Sequence, residues 1–141
     1  MEFSVNNAKF RYAYDMMSCK QIPIRNGKIK LDLAPCAGRI IMFTEKKLGV
    51  MTLNSSSRVK QGEKFISQIK YDNGSGLIPV LFDIYDPAGK KLSISRSDVI
   101  SNGNVKREWI IPVNAPLGRW KMVAKEFATG QDKTVYFDVT K

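Results

Sequence analysis

The chain contains no histidine. That single absence excludes Ser-His-Asp and Cys-His nucleophilic catalysis, histidine proton shuttles and the commonest zinc ligands. It carries only 2 cysteines in 141 residues, too few for a disulfide-dense scaffold or a thiolate metal site. No apolar run approaches the ~18 residues that cross a bilayer as a helix, so no membrane span is expected. Met1-Glu2-Phe3-Ser4-Val5-Asn6-Asn7 lacks the basic start and apolar stretch of a signal peptide. Acidic residues are scarce beside basic ones, 13 against 23, which leaves a net charge of +10. Hydrophobic residues at 43% and charged residues at 26% are nevertheless globular proportions, not those of a disordered or fibrous chain. The length fits about one domain.

What is present is a series of short alternating runs. Residues 9–14 put Phe10, Tyr12 and Tyr14 on one face, and residues 28–33 do the same with Ile29, Leu31 and Leu33. Residues 38–44 are nearly continuously apolar, as in a strand buried on both sides. Residues 64–71, 77–86, 105–111, 118–127 and 133–139 complete the set, and residues 2–5 read as a strand entered without preamble. In 77–86, Ile78, Val80, Phe82 and Ile84 point inward while Leu81, Asp83 and Tyr85 point outward. Trp109 shares a phase with Val105 and Ile111, and Trp120 with Met122 and Ala124, so both indoles belong in the core. Turn residues punctuate the runs: Asn26-Gly27, Asp72-Asn73-Gly74, Asp86-Pro87-Ala88-Gly89, Asn102-Gly103-Asn104 and Thr129-Gly130-Gln131-Asp132. No window of a dozen residues combines helical period with caps. The expected fold is all-β: an immunoglobulin-like antiparallel β-sandwich with an additional N-terminal β-hairpin region.

Asn26-Gly27 is the strongest hairpin dipeptide. A two-residue loop there pairs Arg25 with Lys28, Ile24 with Ile29, Ile22 with Leu31 and Lys20 with Leu33. Continued outward, Cys19 faces Ala34 and Cys36 faces Met17. The two cysteines are then diagonal neighbours roughly 7–8 Å apart, whereas a disulfide needs Cβ atoms about 4 Å apart. Two free, partly buried thiols are expected, with a bulge near Pro35 as the one route to a bond. A boundary falls at the charged stretch Thr44-Glu45-Lys46-Lys47. Residues 48–141 have the size of one sandwich. Residues 1–47 are too few for a core of their own, so they either pack on the sandwich or are the remnant of a preceding β-domain.

Chemistry-bearing patterns are thin. Gly74-Ser75-Gly76 lacks the third glycine and following helix of a dinucleotide site. Asp72-Asn73-Gly74-Ser75 lacks the spacing and closing glutamate of a calcium loop. Asp83, Asp86 and Glu108 are the candidate carboxylates for glycoside hydrolysis, which needs two facing each other. Instead, Asp83 points outward, Asp86 opens an Asp-Pro-x-Gly turn, and Glu108 lies on the face opposite Trp109. Asn54-Ser55-Ser56 is a glycosylation acceptor pattern, informative only in a eukaryotic secreted protein. The basic residues are spread along the chain without aromatic interleaving, so no specific nucleic acid is expected. Tyr85 and Tyr136 are outward-phase on the strongest strands and are the candidate ligand-contact aromatics. No catalytic residue, cofactor or metal ligand is assigned.

One stretch resembles a known pattern. Ile84-Tyr85-Asp86-Pro87-Ala88-Gly89, Trp109-Ile110-Ile111-Pro112, Ala115-Pro116-Leu117-Gly118-Arg119-Trp120 and Phe137-Asp138-Val139 together resemble the macroglobulin-type immunoglobulin-like domains of extracellular proteins. Tyr14-Asp15, the Asn26-Gly27 hairpin, Leu33-Ala34-Pro35 and Gly38-Arg39-Ile40-Ile41-Met42-Phe43 are similar to the closing β-sandwich segment of bacterial glycoside hydrolases. The pair looks like the C-terminal portion of a large secreted carbohydrate-degrading protein of the kind common in Bacteroidetes. The resemblance implies a non-catalytic accessory module, a spacer or docking domain, in an extracytoplasmic protein whose partners are its neighbouring domains. The alternatives are a carbohydrate-binding module with a polysaccharide partner, and a macroglobulin-like or adhesin-type protein-interaction domain. These motifs carry no catalytic residue.

Overall fold

The computed structural model describes residues 1–73, 76–93 and 96–141. Among them the chain forms strands and no helix: β1 (Glu2–Ser4), β2 (Tyr12–Asp15), β3 (Lys20–Ile22), β4 (Lys28–Lys30), β5 (Ile41–Thr44), β6 (Met51–Ser55), β7 (Arg58–Lys60), β8 (Lys64–Tyr71), β9 (Leu77–Tyr85), β10 (Arg96–Ser101), β11 (Asn104–Ile110), β12 (Gly118–Glu126) and β13 (Asp132–Thr140). The fold is all-β, as expected.

Strands β6–β13 form one continuous ladder in the order β6-β8-β11-β10-β9-β12-β13-β7. β10 is the hinge of that ladder. It runs beside β9 for six residue pairs but meets β11 only at Ser101 and Asn104. The sheet therefore folds over, and β6-β8-β11 faces β9-β12-β13-β7. Rings interlock between the layers: Phe65 of β8 stacks on Phe137 of β13 with centroids 3.9 Å apart, and Phe82 of β9 meets Trp109 of β11 edge-on at 5.7 Å. β7 lies parallel to β13, while among the described residues every other pairing is antiparallel. This is the strand order of an immunoglobulin-like sandwich.

Period-2 alternation builds the core. Phe65, Ser67, Ile69 and Tyr71 of β8, and Ile78, Val80, Phe82 and Ile84 of β9, all point inward and are buried. Trp109 and Trp120 are both buried. The Trp109 indole N–H donates to the Ser67 hydroxyl at 3.0 Å, which satisfies the one polar atom that its burial would otherwise strand.

The N-terminal hairpin differs from the expectation. The turn itself forms: Asn26 and Gly27 take positive φ of 50° and 69°, and Arg25 and Lys28 exchange two backbone hydrogen bonds of 2.9 Å. The strands then part. β4 pairs with β1, and β3 pairs with β2, which also pairs with β5. Pro23 is the reason. In the expected register it would sit opposite Lys30 at the next hydrogen-bonded position, and proline has no N–H to donate. The ladder expected to hold the two cysteines apart is therefore absent, yet both thiols are free: Cys19 is half-buried, and Cys36 is exposed rather than partly buried. The run 38–44 is also not a strand buried on both sides. Only residues 41–44 are extended, they pair with β2 alone, and only Thr44 is buried. Among the described residues its second flank is an edge, where an apolar run finds no second partner.

Residues 1–47 touch the sandwich at defined points. The Tyr14 ring joins the main core, and its hydroxyl accepts the Leu48 N–H at 3.0 Å. The β2–β3 turn presses on the β12–β13 turn so closely that a Cβ on Gly130 would lie 2.9 Å from the Cys19 Cβ.

Candidate functional site

Gly118–Glu126 is the central strand of the larger layer, flanked by β9 and β13. Its even-numbered residues fill the core, so its odd-numbered ones face outward with those of β9 and the alternate residues of β13. The register then fixes one transverse row. Tyr85 is opposite Lys121, Lys121 is opposite Tyr136, and Tyr85 also bridges to Lys91. Aromatic and cation alternate across it. The Lys121 ammonium sits over the Tyr85 ring, 4.4 Å from its centroid, and the Arg119 guanidinium covers the Tyr136 ring at 4.9 Å. Beyond this row, Asp138 lies between Arg58 and Arg119 in register. On the other side Asp83, Val123 and Thr134 are aligned. Lys91 Nζ is 2.6 Å from Asp83 Oδ1. That close contact with the carboxylate raises the Lys91 pKa above its ordinary value.

Tyr85 and Tyr136, found separately from strand phase, therefore share one surface two strands apart, about 10 Å by sheet spacing. Tyr85 is half-buried and Tyr136 exposed. Their cationic partners were not anticipated. Cross-strand register brings them there, and register is not readable within one strand.

The candidate carboxylates do not converge. Asp83 pairs with Lys91. Asp86 Oδ1 accepts the Lys90 N–H at 2.9 Å and closes its hairpin. Glu108 is bound to Lys64 at 2.9 Å on the other layer, and the Lys64 hydrogen bond holds its carboxyl below the ordinary range. The Asp72-Asn73-Gly74-Ser75 and Gly74-Ser75-Gly76 patterns fall partly on residues 74 and 75, outside the described residues. Among the described residues no three His, Cys, Asp or Glu side chains cluster as metal ligands do.

A buried polar cluster was missed altogether. Glu126 is fully buried. Its carboxylate accepts the backbone N–H groups of Ala128 at 2.6 Å, Thr129 at 3.0 Å and Gln131 at 2.9 Å, and the Thr129 hydroxyl. Gln131 extends the network: its side-chain amide donates to the Tyr71 hydroxyl at 2.7 Å and the Gly49 carbonyl at 2.9 Å, and its carbonyl accepts the Met51 N–H at 2.9 Å. The signal was available, because Glu126 follows Trp120, Met122 and Ala124 at the same inward phase.

Burial pushes the Tyr71 phenol up to about 12, against an opposing contribution from its hydrogen bond with Thr129. The folded state thus keeps its proton more tightly than the unfolded state does. Stability from this group is complete below about pH 10 and falls as pH rises towards 12, where the unfolded chain has already released the proton. Urea unfolding between pH 9 and 11.5 should show that decline, and Tyr71→Phe should flatten it. An equal slope in the variant would contradict the assignment.

The fold and this surface define an all-β, immunoglobulin-like sandwich protein. No protein-family model matches the chain, and no curated protein matches it by sequence. Among solved structures, the β-glucosidase of Listeria innocua in complex with isofagomine is similar over 66% of this chain, at 8% identity and a TM-score of 0.47. Its complex with glucose gives 67%, 8% and 0.48. The chain spans only 16% of the length of that enzyme. The CARDB domain of a Pyrococcus furiosus protein, in complex with di-metal ions, is similar over 67% of this chain and 88% of its own length, at 11% identity and a TM-score of 0.42.

Proposed function

We propose that the chain is a non-catalytic accessory module, with residues 48–141 as the sandwich and residues 1–47 packed on it, serving as a spacer or docking domain of a larger secreted, carbohydrate-degrading protein. The observation that carries the non-catalytic reading is the engagement of the candidate carboxylates. In a chain without histidine they are the natural groups for hydrolysis. Asp86 closes a turn, and Asp83 and Glu108 are each tied to a lysine; the buried Glu126, outside that set, closes another turn. The extracytoplasmic placement rests on the motif resemblance, and the structure gives those motifs linked structural roles. Trp120 Nε1–H donates to the Pro116 carbonyl at 2.9 Å. Gly118, at a φ of 122°, lies where a Cβ would meet Pro87 of the Asp-Pro-x-Gly turn at 3.5 Å.

Incubation with a panel of aryl glycosides and polysaccharides should release no product above buffer. Turnover that disappears in Asp83→Asn or Glu108→Gln would overturn the reading. The carbohydrate-binding alternative draws support from one observation, the placing of Tyr85 and Tyr136 on a single face.

A further inference from the structure

We infer that the outer face of β7-β13-β12-β9 is a binding strip for an acidic polysaccharide, a chain bearing carboxylates along its length. This deepens the accessory-module reading by supplying a ligand, and it can fail while that reading stands.

Three features select this ligand class. First, the cations are held in place. Arg119 and Lys121 are stacked on Tyr136 and Tyr85, and Lys91 is tied to Asp83. Stacking on a ring orders a long side chain before any ligand arrives, so less freedom is lost on binding. Arg119 and Lys121 are alternate residues of one strand, about 7 Å apart along it, and Arg58 adds a fourth cation across Asp138. Second, one face of each tyrosine ring is occupied by a cation. A neutral sugar or a nucleobase would need to displace it to stack there, whereas an anion adds to it. Third, Asp83, Asp138 and Thr134 interrupt the cations. Closely spaced phosphates would be repelled by those carboxylates. A uronate chain carries hydroxyl donors between its carboxylates, and Asp138 and the Thr134 hydroxyl accept from such donors. The overall charge of +10 supplies long-range attraction for a polyanion.

The test is titration calorimetry of the full chain at about 0.15 M salt, where distant charges are screened. The ligands are polygalacturonate, a neutral glucan and single-stranded oligothymidylate. Saturable binding to polygalacturonate is expected, weakened tenfold or more by Arg119→Ala and by Lys121→Ala. Lys46→Ala, on the N-terminal segment, should leave it unchanged. All three variants should keep the unfolding midpoint. No binding, equal loss in Lys46→Ala, tighter binding of oligothymidylate, or binding of the neutral glucan alone would each overturn the inference. None of these results bears on whether the chain hydrolyses glycosides, which is read separately.

Discussion

Trp120→Ala should destabilise the protein by about 3–5 kcal/mol, the range for deleting a large buried ring. Trp120 is 1% exposed. It packs against Phe137 with centroids 6.0 Å apart, and Phe137 in turn stacks on Phe65 of the opposite layer. Losing the indole opens a cavity where the layers interlock. It also strands the Pro116 carbonyl, which accepts the indole N–H. Trp120→Phe keeps part of the aromatic packing and loses that hydrogen bond and some buried volume, so a smaller cost of about 1–2 kcal/mol is expected. Equilibrium urea unfolding reads both. A loss below about 1 kcal/mol in Trp120→Ala would mean that the indole does not hold the two layers together.

Glu126→Ala should cost about 3 kcal/mol or more. Three backbone N–H groups converge on its carboxylate within the β12–β13 turn. Alanine leaves them without that acceptor in a part-buried turn, and each buried donor left unmet costs about 1–3 kcal/mol. The turn also presses on Cys19 and, through Gln131, grips Gly49 and Met51. Its collapse should therefore loosen residues 1–50 as well as the sandwich. Hydrogen exchange would show faster exchange at Met51 and in the 126–131 turn. Glu126→Gln keeps one carbonyl oxygen and turns an NH2 group towards the donors, so its loss should be intermediate. Wild-type stability in Glu126→Ala would mean that water or local rearrangement satisfies the turn.

Much of the sandwich was legible because strong alternation and turn chemistry agree. β8 matches the expected 64–71 residue for residue, and β9 and β12 each end one residue earlier than expected. The short strands were harder. β6, β7 and β10 are polar or only briefly apolar and are extended because a neighbouring strand offers them hydrogen bonds. The N-terminal segment went astray at Pro23, where a correct turn was extended into a ladder that proline cannot join. Strand phase located Tyr85 and Tyr136 on the surface. The charges stacked on them became visible only once β9 and β13 were laid on either side of Lys121.

The accessory-module reading requires that the sandwich stand on its own core. Among the described residues, Tyr14 is the one fully buried member of that core from the first 47, and Tyr12 and Met42 pack against it half-buried. The most direct measurement is urea unfolding of residues 48–141 beside the full chain, followed by tryptophan fluorescence and far-UV circular dichroism together. A single cooperative transition by both probes is expected, at a lower midpoint than the full chain because the Tyr14 and Cys19 contacts are gone. A fragment with no cooperative transition would contradict the account and make residues 1–47 part of one indivisible fold.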